Sequence, residues 1–326
     1  MDALKFIVAI KCAVYNHEPY LRQCLDGFVM QKTNFKFVAI VHDDASTDKS
    51  AEIIKEYAEK YPEIIKPIYE IENQYSKRNG SLRKVMESAI FATGCKYIAI
   101  CEGDDYWVDP FKLQKQVDVL ESSEYIGLVY SKVQYFYQSK NKFKEEFGQE
   151  YNDYSSLLRK NCIPTLTAVL RTDLYKKYIE EIQPSTKGWK MGDYPMWLWF
   201  AQNSKLYFLN EIQGVYRVLD NSASHSTNYL TKLRFTINSA KITYYFASKY
   251  HIDEIERLTQ LLWVEFEYAV RTKDKKDISR IMREVNLLSQ KQNNLKLGLM
   301  RMFAHCPKIL VAGLCFFRRI KFNLSI

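Results

Sequence analysis

Three groups of carboxylates punctuate the chain: Asp43 and Asp44 in VHDDASTD, Glu102, Asp104 and Asp105 in YIAICEGDDYWVDP, and Asp193 in GWKMGDYPMW. In the second group, a run suited to a buried strand leads straight into three acids within four residues. Like charges that close repel one another, and desolvating them costs more still, so the cluster calls for a cation. Asp104 and Asp105 offer the hard oxygen ligands of Mg²⁺ or Mn²⁺, ions that keep some waters and take other ligands from phosphates. Gly103 lets the backbone turn there and approach a ligand closely. The competing reading is a polar turn that merely ends a strand. For Asp44 the alternatives are a contact to a base N–H or ribose hydroxyl, or a helix cap, the part Asp48 is placed to play. Asp193 could take a proton from a hydroxyl or cap a helix ahead of Pro195.

These acids need elements to position them. Phe6–Val14 is rich in β-formers and ends at the turn YNHEPY. In the next segment Leu21, Cys24, Leu25, Phe28 and Val29 fall on one helical face. A short apolar strand, Phe37–Val41, follows, then a helix with Ser46 or Thr47 as the expected cap. IKPIYEIEN reads as a strand, Leu82–Ala92 as a helix, and the run before Glu102 as a strand. Such β–α alternation predicts a parallel sheet flanked by helices, which binds ligands at the carboxyl ends of its strands. Tyr15, Asp43/Asp44 and Asp104/Asp105 all fall at such ends. Beyond Pro110 the pattern predicts a helix, one or two strands over YIGLVYSKVQYFYQ, and a polar, partly helical stretch. A strand and helix over IPTLTAVLRTDLYKKYI come next, then a helix opening near Asp193.

AVYNHEPYLRQCL, VHDDASTD, the N-G…G-C-K-Y spacing, EGDDYWVDPFKLQKQ and GDYPMW occur in one order over about residues 5–225. Together they resemble the inverting family 2 glycosyltransferases of GT-A fold, particularly bacterial enzymes of surface-polysaccharide assembly. The resemblance implies an α/β fold with a Rossmann-like, mostly parallel sheet flanked by helices. It implies that Ala13 and Tyr15 line the base pocket of a nucleotide-sugar, UDP-linked by preference, that Asp44 reads the base and that Asp104 touches the ribose. Asp105 would bind Mn²⁺ or Mg²⁺, and Asp193 would be the catalytic base. Arg78 would meet the base or phosphate. In YRVLDNSASH, Arg217 would contact phosphate and His225 would be a further metal or phosphate ligand, while Trp189 would stack on an acceptor sugar. The acceptor would be a glycan or a lipid-linked glycan. Gly-Asp-Asp stands where many relatives have Asp-x-Asp, which leaves the part of Glu102 open.

The chain's 326 residues give room for one large α/β domain or two smaller ones, and 47% apolar residues suit a globular protein. The expected divisions are a nucleotide-sugar-binding half (1–105), an acceptor-binding half (106–226) and a helical, basic C-terminal region (227–326). That last region carries eighteen bases against eight acids, with seven bases and no acid after Glu284. Nine apolar residues, Ile309–Phe317, lie there between Lys308 and Arg318, Arg319 and Lys321. This run is too short to span a bilayer and suits either a helix lying in anionic headgroups or one packed on the body. Seven scattered cysteines without a C-x-x-C pair, a poor signal-peptide pattern and no transmembrane-length run make a cytoplasmic protein the expectation, peripheral on the inner membrane face if the C-terminal run docks there. The sequence lacks a P-loop, a nucleophile elbow, a dinucleotide fingerprint and a nucleic-acid-binding motif, so those partners and chemistries are disfavoured. Two other readings stand beside the transferase: a nucleotidyltransferase, which would need a basic Gly-rich loop after the first strand, and a non-catalytic sugar- or nucleotide-binding protein.

Overall fold

The structure is a computed structural model and describes residues 6–219, 228–291 and 294–305. The chain divides into two compact units, Met1–Ser222 and Ala223–Ile326. The first opens with β1 (Val8–Val14), α1 (Glu18–Val29), β2 (Phe37–Asp43), α2 (Ser50–Lys60), β3 (Ile65–Tyr69), α3 (Ser81–Ala92) and β4 (Tyr97–Ile100). These four strands lie parallel in the order β3-β2-β1-β4. Every residue of β2 and β4 is buried, as a parallel strand covered on both faces requires.

The sheet then changes character. After β5 (Tyr106–Trp107) come α4 (Lys112–Ser122), β6 (Ile126–Tyr137), β7 (Lys142–Phe147), α5 (Tyr154–Arg159), β8 (Val169–Arg171), α6 (Thr172–Ile182), α7 (Asp193–Asn203) and β9 (Lys205–Val218). The strand order continues β4-β8-β6-β9-β5, with β7 paired to β6. Here β8 runs antiparallel to both its neighbours, β6 is parallel to β9, and β5 is antiparallel to β9. One nine-stranded sheet therefore carries both halves of the unit.

The structure decides between two sets of local alternatives. Helix α2 begins at Ser50, whose amide donates to Asp48 Oδ1 at 2.9 Å, so of the candidates Ser46, Thr47 and Asp48 it is Asp48 that meets the helix N-terminus. Ser46 Oγ instead accepts from the Asn16 amide at 2.9 Å, tying the turn after β1 to the turn after β2. YIGLVYSKVQYFYQ forms a single long strand, β6, because its first half is buried and its second half is held on both sides by β7 and β9.

Helix α1 buries Leu21, Cys24, Leu25 and Phe28 on the predicted face, and Phe28 meets Trp107 edge to face at 5.0 Å. The second unit holds α8 (Tyr229–Tyr250), α9 (Glu254–Thr272), α10 (Lys275–Lys291) and α11 (Leu295–His305), helical as expected. Leu262 and Phe266 of α9, Ile281 and Val285 of α10, and Leu297 and Met300 of α11 form a core there. Among the described residues no helix is long and apolar enough to cross a membrane. The Ile309–Phe317 run lies outside them.

One core residue is a lysine. Lys112, in the first turn of α4, has no exposed surface; its Nζ donates to Gln116 Oε1 at 2.6 Å and sits 4.1 Å from the Trp107 ring centre. Burial pushes its amine down to about 7, with Cys101 and Asp109 opposing. The positive end of α4 also disfavours a cation there. Because the folded value lies below the unfolded one, the unfolded chain binds more protons between about pH 7 and 10, and this residue makes stability rise with pH across that window. Lys112→Met should therefore gain most over the native chain near pH 7, with the gap closing toward pH 10. Urea midpoints measured across that range check it.

Candidate active site

The carboxyl ends of β1, β2 and β4 come together at one edge of the sheet. The acid turn Cys101–Asp105 continues the β1–β4 pairing past the end of the strand. The Cys101 amide donates to Lys11 O at 3.1 Å and the Gly103 amide to Ala13 O at 3.0 Å. The turn closes through Asp105 N to Glu102 O at 3.1 Å. On its other side stands Arg217 of β9. Its backbone N–H donates to Asp105 Oδ1 at 2.7 Å and its Nε to Asp104 O at 2.8 Å. The other two guanidinium nitrogens donate to Gln138 and Gln23 at 2.7 Å each. Tyr20, Tyr106 and Phe136 surround the cation, which is only 5% exposed. Arg217 thus faces inward, against the back of the acid turn.

The turn is tight for a reason visible at Gly103. A Cβ there would lie 2.8 Å from His17 Nδ1 and 2.9 Å from Val14 Cγ2. The close approach that the glycine permits is to the protein's own α1 terminus. Asp105 is buried, and burial, then the charge of Asp104, raise its carboxyl well above the usual range, with the Arg217 amide bond working against the rise. Glu102 has solvent on one side and protein mass on the others. That mass, followed by Asp104 and Asp193, pushes its carboxyl up to about 7, although its open face tempers the shift. The Lys11 ammonium opposes the rise. Lys11 lies on β1 in register with Ile100, and its own amine is lowered by burial against the pull of Glu87 and Glu102. Asp193 therefore contributes to the negative field at Glu102.

Asp193 is the first residue of α7, with Pro195 in its first turn. Thr165 Oγ1 donates to its Oδ2 at 2.6 Å, and the Tyr194 amide to its Oδ1 at 2.8 Å. A half-buried carboxylate held from two sides keeps a lone pair on each oxygen for another hydrogen bond. Trp189 lies half-buried in the loop just before α7.

At the other end of the cleft, Ala13 is half-buried on β1 and Tyr15 is 46% exposed just beyond it. Asp44 is buried, and both its oxygens accept backbone amides of the loop after β3, from Gln74 at 2.6 Å and Tyr75 at 3.0 Å. Asp43, in register with Val14 and Tyr69, accepts from Ser46 N at 3.2 Å through Oδ2 and leaves Oδ1 buried without a partner. An incoming N–H or hydroxyl would meet that orphan oxygen, so Asp43 joins Asp44 as a candidate base contact. Arg78 is exposed, in a left-handed backbone conformation at the end of the same loop. His225 lies outside the described residues.

Residues that sequence reasoning passed over include Asp43 as a contact in its own right, Thr165, Lys11, Gln23 and Gln138. Of these only Asp43 carried a signal, its place at a strand end. Among the described residues no three His, Cys, Asp or Glu side chains form a metal cage. The acid turn instead suits an ion held by one or two carboxylates that completes its shell with phosphate oxygens and water. A turn crowded with carboxylates, its nearest cation engaged from behind, fits that demand.

A parallel half-sheet with acids at its tips, continued by an antiparallel and mixed half that brings a helix-borne carboxylate to the same cleft, defines the GT-A class of glycosyltransferase folds. The model of the family "Glycosyl transferase family 2" matches residues 12–179, and the chain belongs to that family. Among curated relatives, the uncharacterized protein Rv1520 of Mycobacterium tuberculosis is 32% identical over 225 residues, covering 68% of this chain and 61% of that protein. The chain thus spans under two thirds of the length of these mycobacterial relatives. The uncharacterized glycosyltransferase MJ1057 of Methanocaldococcus jannaschii is 28% identical over 250 residues, or 76% of this chain and 80% of that one. Among solved structures, S. aureus TarS 1–349 in complex with UDP-GlcNAc superposes with a TM-score of 0.56 at 12% identity, over 93% of this chain and 88% of that one. That likeness concerns the fold.

Gly103→Ala should force the acid turn away from His17 and Val14, costing about 1–3 kcal/mol, the usual scale for overpacking. A lowered urea midpoint with an unchanged denaturant slope is the expected reading.

Proposed function

We propose that the chain is a metal-dependent inverting glycosyltransferase that moves a sugar from a nucleotide-sugar, UDP-linked by preference, to a hydroxyl of a glycan or lipid-linked acceptor. The observation that carries this reading is the acid turn at the carboxyl end of the parallel strands, braced by Arg217, together with the carboxylate of Asp193 oriented by Thr165 and the Tyr194 amide. The acid turn suits the donor's diphosphate side and Asp193 the acceptor side.

In this reading the base lies over Tyr15 with Asp43 and Asp44 at its edge, and the ribose lies against Asp104. Asp105, with Asp104 beside it, would hold a divalent cation, which would supply positive charge to the leaving diphosphate. Transfer is a single displacement. The acceptor oxygen forms its bond to the anomeric carbon while the bond to the diphosphate breaks with its electron pair. Asp193 takes the hydroxyl proton. The hydrogen bond from Thr165 and the amide of Tyr194 fix which way its carboxylate points. The departing diphosphate needs no protonation from an acid, so one carboxylate is sufficient, unlike the pair that glycosidases require. The oriented Asp193 also favours catalysis over the binding-only alternative, since a binder needs no base.

A thermal-shift screen of UDP-, GDP-, dTDP- and CMP-sugars with and without Mn²⁺ should show a metal-dependent rise for one nucleotide. Asp105→Asn should abolish that rise. Asp193→Asn should keep it and lose about 10²–10⁴-fold in turnover, and the product's anomeric configuration by NMR should be opposite to the donor's. Metal-independent donor binding would overturn the cation assignment. Full turnover by Asp193→Asn, or retained configuration, would overturn the mechanism.

A further inference from the structure

The helical unit has one face that its own core leaves uncovered. Helix α11 turns Leu297 and Met300 inward against α9 and α10. Its other side shows Leu295, 80% exposed, and Met302, 54% exposed. Seven residues apart, these two lie on the same side of the helix, with Leu299 partly exposed between them. A Cβ added to Gly298, within the same span, would meet nothing within 4 Å. Single exposed apolar residues on a surface need no explanation, but two such residues a heptad apart form a stripe.

The charged residues of α11 itself have one sign. Lys296 and Arg301 of α11 flank it, with Lys296 Nζ donating to Gln260 at 2.8 Å and neither base paired to an acid among the described residues. After Glu284 the sequence contains seven bases and no acid, and α11 runs directly into the apolar, base-flanked segment 306–326. A second protein copy fits poorly. Two or three exposed apolar side chains fall far short of the roughly 800 Å² per partner that a stable dimer buries, and a helix whose charges are all basic would repel its own copy. A lipid surface needs no such area. It takes a short helix whose apolar side enters the headgroup boundary while its bases meet anionic lipid.

We propose that the Leu295–Met302 face of α11 docks the protein on an anionic lipid surface, with Lys296 and Arg301 at the headgroups. The helix lies in the plane of the surface and inserts a few side chains without crossing it. This goes beyond the transferase reading and does not depend on it, because nothing in the argument uses the acid turn or Asp193.

The test is flotation of the full chain with phosphatidylcholine vesicles, with and without phosphatidylglycerol. The native chain should float only with the anionic vesicles, and added salt should weaken the binding. Leu295→Asp combined with Met302→Asp should cut partitioning by at least about tenfold, as expected from losing two buried apolar side chains. Arg301→Gln alone should weaken it by about fivefold, near the scale of one base at an anionic surface. Both variants should keep the native circular dichroism spectrum and the same metal-dependent thermal shift with nucleotide-sugar. Three results would overturn the proposal: no flotation of the native chain, equal flotation of the double variant (which would assign binding to residues 306–326 alone), or a concentration-dependent dimer that the double variant abolishes. Absence of any nucleotide-sugar shift would count against the transferase reading alone and would leave the flotation result standing.

Discussion

The contact between Arg217 and the acid turn is the constraint on which the candidate site depends. Three carboxylates in four residues resist being held together, and Arg217 holds two of these residues, Asp104 by its main-chain carbonyl and Asp105 by one carboxylate oxygen. The first bond comes from its side chain and the second from its backbone amide. The cation thus braces the turn mainly through the main chain, while burial first and the neighbouring Asp104 charge second keep the carboxyls of Asp105 and Glu102 raised. Gln23 from α1 and Gln138 from the turn after β6 occupy the rest of the guanidinium. Loss of any one of these arms would leave a buried cation partly unpaired, a costly defect.

That contact also explains the sheet's mixed order. The parallel strands bring Asp43, Asp44 and the acid turn to one edge, but they offer no element to hold the turn from outside. Strand β9 supplies it, arriving through the long pairing with β6 and closing on β5 immediately after Asp105. The helices are locked by a second set of bonds. The Glu18 amide donates to Asp48 Oδ2 at 3.0 Å, and the Lys49 amide returns a bond to Glu18 Oε2 at 3.1 Å. The turn after β1, with Asn16 in a left-handed conformation, is thereby fixed to the turn after β2. Hydrogen bonds thus hold both turns in place, and for the proposed donor site such preorganisation would lower the ordering cost of binding.

The parallel half was legible because its information is local: apolar runs of strand length, amphipathic helices and polar residues at strand ends recur in strict alternation. The helical C-terminal unit was legible from its periodicity for the same reason. The brace was not. Gln23 and Gln138 are 194 and 79 residues away from Arg217, and in the sequence an arginine within YRVLDNSASH reads as easily as a phosphate ligand as it does an internal prop. Asp43 was passed over in favour of Asp44 for a different reason. Neighbouring residues at a strand end point to opposite faces, so adjacent identical side chains cannot be told apart by composition. In the run ASTDKS every polar residue is a plausible cap, and only the geometry selects Asp48.

The crowding at the acid turn has a consequence for the proposed donor. A nucleoside diphosphate would bring two or more negative charges beside Glu102, Asp104 and Asp105, and without a cation the approach is repulsive at every step. A divalent ion placed there changes the sign of the interaction for both neighbours, the carboxylates on one side and the phosphates on the other. Ion and diphosphate must then each raise the affinity of the other by the same factor, because coupling free energies are reciprocal. In the proposed mechanism, Arg217 would enlarge this coupling. Were its charge directed into the cleft, it would satisfy the phosphates directly and leave the ion less to contribute. Turned inward, it keeps the carboxylates in place and leaves the charge deficit to be met by the ligand pair.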